Sequence, residues 1–195
     1  MKLYLASYAK VTINKIIKNE KNVFTGKKAV FIPTAGNPYK DKSFVEEDKK
    51  ALEQQGMEVI DIDIKNALNE ATIVLVAGGD TFYLMDNMLK SNTGELIKNF
   101  IKNGGVYIGS SAGSIICCST IEGAEEFDDP SLAPNLPNYN GLGVFPDVII
   151  PHAHKEKYFE RIKRATSKLN KEGFSVYPLT DGEVLFYDGT NIEIL

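Results

Sequence analysis

The sequence predicts an α/β fold, a mostly parallel sheet with helices on both faces and an antiparallel C-terminal edge. Three observations lead there. Short apolar runs such as Ile73-Val74-Leu75-Val76 read as strands buried on both faces. They alternate with longer, partly apolar segments of helical spacing, the order that a parallel βαβ sheet requires. At the end of the chain, Glu183 to Tyr187 and Asn191 to Ile194 flank Asp188-Gly189, a hairpin signal. With 195 residues, 43% of them hydrophobic, the chain is expected to bury its core within one domain, residues 1–195.

Taken in order, Lys2 to Ser7 is the first strand, and Ile13, Ile16 and Ile17 mark a helix. Ala29-Val30-Phe31-Ile32 is a buried strand that ends in the loop Pro33-Thr34-Ala35-Gly36, at a carboxyl end where open α/β sheets hold ligands. Asp41 to Gln55 is a surface helix closed by Gly56, and Met57 to Ile64 a strand with one exposed face. Ile73 to Val76 runs into Ala77-Gly78-Gly79-Asp80-Thr81, which opens a helix over Phe82 to Leu89, with Asp80 or Thr81 as its N-cap. A helix over Glu95 to Lys102 leads through Gly104-Gly105 to the strand Val106-Tyr107-Ile108.

That strand delivers Gly109-Ser110-Ser111-Ala112-Gly113, followed by the apolar run Ile115 to Cys118, read as a helix. Strand, tight turn and helix make a nucleophile elbow, in which small neighbours let the central serine adopt a strained backbone above the sheet. From Ser119 to Gly143 the chain is rich in Pro, Asn, Gly, Glu and Asp, long for a connection and expected to lie over the site. Val144 to Pro151 is a strand candidate carrying His152-Ala153-His154 at its end. Tyr158 to Leu169 is a basic amphipathic helix, and Phe174 to Leu179 another strand.

The net charge of −4 leaves no basic footprint for nucleic acid. No apolar run reaches the roughly 20 residues of a membrane span, and no signal-peptide pattern follows Met1, so a cytoplasmic protein is expected. Cys117 and Cys118, the two cysteines, are adjacent and suit neither a disulfide nor a zinc site, so they read as core residues. No metal or cofactor is expected.

A serine hydroxyl hardly ionises at neutral pH and needs a base. Of the two histidines, His152 directly follows Pro151 at a strand end and is preferred over His154. A carboxylate must orient the imidazole. Asp181, in Leu179-Thr180-Asp181-Gly182, is the first choice and Glu183 the reserve. The oxyanion would be held by the backbone N–H of Ala112, after the nucleophile, and by that of Gly79 in the glycine loop. Phosphate binding at that loop is the weaker reading, because neither common phosphate-loop pattern occurs.

Gly78-Gly79-Asp80-Thr81-Phe82-Tyr83-Leu84, Gly109 to Gly113, Pro151-His152 and Leu179 to Gly182, in that order, together resemble peptidase family S51, which includes dipeptidase E and the cyanophycinases. The resemblance spans nearly the whole chain. It implies a class I glutamine amidotransferase-like fold, a flavodoxin-like three-layer sandwich, with serine in place of the amidotransferase cysteine. It implies a serine peptidase acting on short peptides, with Ser111, His152 and Asp181 as triad and Gly79 and Ala112 as oxyanion donors. Asp80 departs from the asparagine common after those glycines.

Dipeptidase E removes an N-terminal aspartate, which calls for a cation near the site. Between Lys102 and Lys155 there is neither lysine nor arginine; the loop instead carries Glu122, Glu125, Glu126, Asp128 and Asp129. These form either a solvated face or, through Glu125, Glu126 or Asp128, an anchor for the substrate's α-ammonium. The expectation is a Ser-His-Asp exopeptidase, a dipeptidase or aminopeptidase not restricted to aspartate, as monomer or homodimer. The alternatives are a hydrolase of β-aspartyl-arginine units and a non-catalytic binding module.

Overall fold

A computed structural model describes residues 1–20, 24, 26–60 and 64–195, with residues 64 and 65 described by their backbone alone. The elements run β1 (Lys2–Ala6), α1 (Ala9–Asn19), β2 (Lys28–Ile32), α2 (Ser43–Glu53), β3 (Glu58–Ile60), α3 (Ile64–Glu70), β4 (Ile73–Val76), α4 (Thr81–Ser91) and α5 (Thr93–Lys102). They continue with β5 (Val106–Ser110), α6 (Ala112–Ile115), β6 (Val148–Ile150), α7 (Phe159–Lys171), β7 (Val176–Pro178), β8 (Val184–Tyr187) and β9 (Ile192–Ile194). Among the described residues, seven strands form one sheet in the order β3-β2-β4-β5-β1-β8-β9. The five from β3 to β1 pair in parallel, and β8 and β9 add the antiparallel edge. This is the predicted architecture.

Alternate residues of each central strand enter opposite cores, as the two-residue period of a strand demands. Leu3, Leu5, Val30, Ile32, Val74, Val76 and Tyr107 pack under α4, α5 and α6. Tyr4, Ala6, Phe31, Ile73, Leu75 and Ile108 pack under α1 and α2. Being buried on both faces, these strands are apolar throughout, which is why they were legible in the sequence. Among the described residues, no helix is long and apolar enough to cross a membrane.

Three expectations need correction. The strand expected over Met57 to Ile64 covers Glu58–Ile60, Asp61 to Asp63 lie outside the described residues, and Ile64 opens α3. The helix after the elbow is one turn long. The carbonyls of Ile116, Cys117 and Cys118, which a longer helix would use, instead accept the amides of Leu142 (2.6 Å), Phe145 (2.9 Å) and Gly143 (3.1 Å). Gly141 is required for this approach, since a Cβ there would lie 2.1 Å from the Cys118 carbonyl oxygen. The same bonds hold residues 144 and 145 out of any strand. So β6 is only Val148–Ile150, and it pairs with β7 in a separate two-stranded parallel sheet.

Asp48 on α2 is 1% exposed and accepts the Lys10 amide at the start of α1, at 2.9 Å. Burial pushes its carboxyl up to about 6 from 3.8, against the opposing help of the Ser110 hydroxyl and that amide. A raised carboxyl destabilises the fold where it must ionise, so the penalty is absent at pH below the unfolded value and complete above the folded one. Asp48→Asn, which keeps an acceptor for Lys10, is expected to stabilise the protein at pH 7.5 by roughly 1–3 kcal/mol. The gain should fade as thermal melts are taken from pH 6 down to pH 4.

Candidate active site

The carboxyl ends of β1, β4 and β5 lie side by side, since Ala6 pairs with Ser110 and Val76 with Gly109. Ser111 follows directly, with φ 49° and ψ −109°, backbone space that costs a non-glycine residue about 1–3 kcal/mol. Tertiary bonds hold it there. Its N–H donates to the Ala6 carbonyl (3.0 Å), and its own carbonyl accepts Ser114 and Ile115 amides at 2.8 and 3.0 Å. The flanking glycines are needed because α6 crosses so closely: a Cβ on Gly113 would lie 2.1 Å from the Val76 carbonyl oxygen, and one on Gly109 2.6 Å from the Ser114 Cα.

The small sheet and its turn into β8 supply the other two groups. His152 follows β6 with φ 61°, and Asp181 follows β7. The two turns are tied by Leu179 N–H to the Ile150 carbonyl (2.8 Å) and Ala153 N–H to the Leu179 carbonyl (2.9 Å). Ser111 Oγ lies 3.2 Å from His152 Nε2, and His152 Nδ1 lies 2.5 Å from Asp181 Oδ1. Glu183 is turned away, its carboxylate accepting the Thr180 amide of its own turn at 2.7 Å. His154 stands outside the line, its Nε2 3.6 Å from Asp181 Oδ2.

Burial holds the His152 imidazole below its ordinary 6.5, outweighing the upward pull of Asp181, so the ring is a neutral acceptor at pH 7. Burial pushes the Asp181 carboxyl up, but bonds from His152, Ser7 and Lys155 together hold it below its ordinary value, so it is ionised. Among the described residues, the N–H groups of Gly79 and Ala112 donate to no protein acceptor. Gly79 has φ 143° and packs so tightly on the loop after β2 that a Cβ would fall 2.1 Å from the Ala35 carbonyl oxygen. Gly78 passes close to Ser111, where a Cβ would stand 3.2 Å from the Ser111 Cβ.

These groups open into a cavity of about 350 Å³. Its wall includes Tyr39, packed edge-on against Phe44 (5.7 Å), and Tyr158, packed edge-on against Phe127 (5.5 Å). Asp128 is the acidic-loop carboxylate that lines it. Its Oδ2 accepts the Thr81 amide (3.0 Å) and hydroxyl (2.5 Å), and its Oδ1 accepts no hydrogen bond among the described residues. Burial raises its carboxyl to about 6, with the nearby Asp80 charge adding to the rise and the Thr81 bonds opposing it. Asp80 itself caps α4 through the Tyr83 amide (2.8 Å) and takes the Asp129 amide (3.0 Å), so the aspartate at this place pins the acidic loop to the glycine loop.

Glu125 and Glu126 are not brought to the cavity. Lys168 of α7 pairs with Glu125 (3.0 Å) and Glu122 (2.8 Å), and Arg164 grips Glu126 (2.7 Å). The basic face of α7 is what the acidic run answers, which its charge pattern alone could not reveal. A cation does reach the site: Lys155 lines the cavity, its ammonium 3.2 Å from Asp181 Oδ2 and 3.3 Å from His152 Nδ1. Sequence reasoning passed over it and over Ser7, whose hydroxyl touches both His152 and Asp181. The available signal for Ser7 was its place at the carboxyl end of the first strand.

The model of peptidase family S51 matches residues 4–195. The chain belongs to peptidase family S51. It is a serine-type peptidase of the α/β fold expected above. An uncharacterized peptidase of Listeria monocytogenes, Lmo0363, is 30% identical over 198 residues, spanning 97% of this chain and 96% of that protein. Peptidase E of Salmonella typhi is 34% identical over 128 residues, 64% of this chain and 54% of its own length. A crystal structure of a peptidase E candidate from Listeria monocytogenes EGD-e superposes with a TM-score of 0.90 at 29% identity, over 100% of this chain and 97% of that one.

Proposed function

We propose that this S51 peptidase is an exopeptidase that cleaves short peptides through an acyl-enzyme on Ser111. The supporting observation is the unbroken line from Ser111 Oγ through His152 to Asp181, opening into a cavity beside two unpaired amides. In this reading Ser111 Oγ attacks the scissile carbonyl while His152 Nε2 takes its proton. The Gly79 and Ala112 amides receive the oxyanion, and Asp181 keeps the proton of the imidazole on Nδ1 and balances the imidazolium. His152 then protonates the leaving amine, and water activated by the same ring releases the acyl group.

Asp128 anchors the free α-ammonium, which makes the enzyme act at an N-terminus. A half-buried carboxylate among aromatic rings suits an ammonium, through charge and through cation–π attraction. Asp128 disfavours an acidic first side chain, since Lys155, the lysine of the wall, is already paired with Asp181 (3.2 Å), whereas Tyr39, Phe44, Phe127 and Tyr158 offer an apolar wall. The test compares Leu-X, Phe-X, Asp-X, β-aspartyl-arginine and N-acetylated dipeptides. Leu-X and Phe-X are expected to be cleaved fastest and the acetylated forms hardly at all. Fast, selective hydrolysis of Asp-X would defeat the specificity reading, and preferred cleavage of β-aspartyl-arginine would replace it by the cyanophycinase-like alternative.

A further inference from the structure

Nucleophile and base reach the site on different sheets. Ser111 follows β5 of the seven-stranded sheet, His152 follows β6 of the two-stranded one, and Asp181 lies in the turn that joins β7 to β8, where the chain passes from the small sheet to the large one. Their separation therefore depends on how the two sheets are tied together at the cavity. Ser7 adds a polar tie beside the turn from β7 into β8, its N–H donating to the Glu183 carbonyl at 3.4 Å. It follows β1, the strand paired with β5, and is fully buried. Its Oγ accepts the His152 backbone N–H at 2.8 Å and donates to Asp181 Oδ1 at 2.9 Å, and it lies 3.4 Å from His152 Nδ1.

The hydrogens in this cluster have one consistent assignment. An ionised carboxylate only accepts and a backbone N–H only donates, so the single Ser7 proton must point to Asp181. Asp181 Oδ1 then has no proton to offer, and the His152 Nδ1 facing it must carry its own. That is the tautomer that leaves Nε2 free to accept from Ser111. The same hydroxyl holds the His152 amide at φ 61°, a backbone conformation that a non-glycine residue leaves unless its surroundings impose it.

We infer that Ser7 is a positioning residue of the catalytic apparatus, fixing relative to Ser111 both the backbone of His152 and the Asp181 carboxylate that sets the tautomer of its ring. The inference rests on the triad proposed above. Ser7 touches neither substrate nor reacting atoms in this role; it acts through His152. A displacement of the base by even about 1 Å can cost a hundredfold in rate.

The experiment measures kcat, KM and the pH profile of kcat/KM for the wild-type chain, Ser7→Ala, Ser7→Thr and Ser111→Ala, with a Leu-X dipeptide. Ser7→Ala is expected to lower kcat by roughly 10- to 100-fold with KM within about twofold. Its acid limb should move to higher pH, because Asp181 Oδ1, freed of one donor, holds the Nδ1 proton of a charged His152 more tightly; Lys155 and His154, which face the same carboxylate, are unchanged. Ser7→Thr, which keeps the hydroxyl, should recover most of the lost kcat. An unchanged kcat in Ser7→Ala overturns the inference. So does a loss confined to KM, or a loss of kcat at an unmoved acid limb that Ser7→Thr fails to restore. An active Ser111→Ala would remove the triad itself, whereas an inactive Ser111→Ala beside a fully active Ser7→Ala would overturn Ser7 alone.

Discussion

Ser111→Ala is expected to reduce kcat on short peptides by roughly 10⁴- to 10⁶-fold while leaving the melting temperature within a few degrees of wild type. The side chain of Ser111 makes its polar contact with His152, and the bonds that hold the elbow come from its backbone, which alanine keeps. Its carbonyl still receives Ser114 and Ile115, and its amide still reaches Ala6. Asp181→Asn should retain more activity, falling by roughly 10³- to 10⁴-fold, because the imidazole loses its charge partner and preferred tautomer but not the nucleophile or the oxyanion amides. Covalent labelling by a fluorophosphonate, read by mass spectrometry of the intact chain, should follow the same order. Full turnover by Ser111→Ala would end the mechanism.

Asp128→Asn should raise KM for dipeptides with a free amino group by roughly 10²-fold and change kcat much less, since it removes a charge-assisted bond formed by substrate and transition state alike. The pH dependence carries the sharper signature. The Asp128 carboxyl lies near 6, above its ordinary 3.8, so it becomes neutral as pH falls through that value. An uncharged carboxyl no longer attracts an ammonium, and wild-type KM should rise as pH drops from 7 to 5. In Asp128→Asn that rise should be absent, leaving in kcat only the protonation of His152, which lies below 6.5. Steady-state kinetics across that range decide it, and a variant with wild-type KM at pH 7.5 would remove Asp128 as the anchor. The variant should fold, because an asparagine oxygen can still accept from Thr81 and ionised Asp128 is itself unfavourable to the fold at neutral pH.

Both expectations begin in the sequence and acquire their geometry from the fold. The strands Lys2 to Ala6, Lys28 to Ile32, Ile73 to Val76 and Val106 to Ser110 were legible because burial on both faces demands unbroken apolar runs. The elbow was legible because close passage of α6 over β4 and β5 excludes side chains at Gly109 and Gly113. The one-turn length of α6 was not legible, since Ile115 to Cys118 has the apolarity of a longer helix. What ends it is a set of carbonyl bonds to residues 142–145, more than twenty residues on. The acidic loop was legible as charge but not as function, for the partners that claim Glu125 and Glu126 lie on α7.

By itself, the sequence determined the strand and helix types, the strained turn at Ser111 and the short roster of groups able to act with it. These follow from neighbours a few residues apart, whose side-chain period and size constrain the local backbone. Tertiary structure alone decided which members of the roster meet. Ser111 and His152 are 41 residues apart, His152 and Asp181 29, and Ser7 lies 145 residues from His152. Separations of that kind leave no mark in local pattern. They are closed by the packing of a two-stranded sheet against the end of a seven-stranded one, where a hydroxyl at the end of β1 can reach across both.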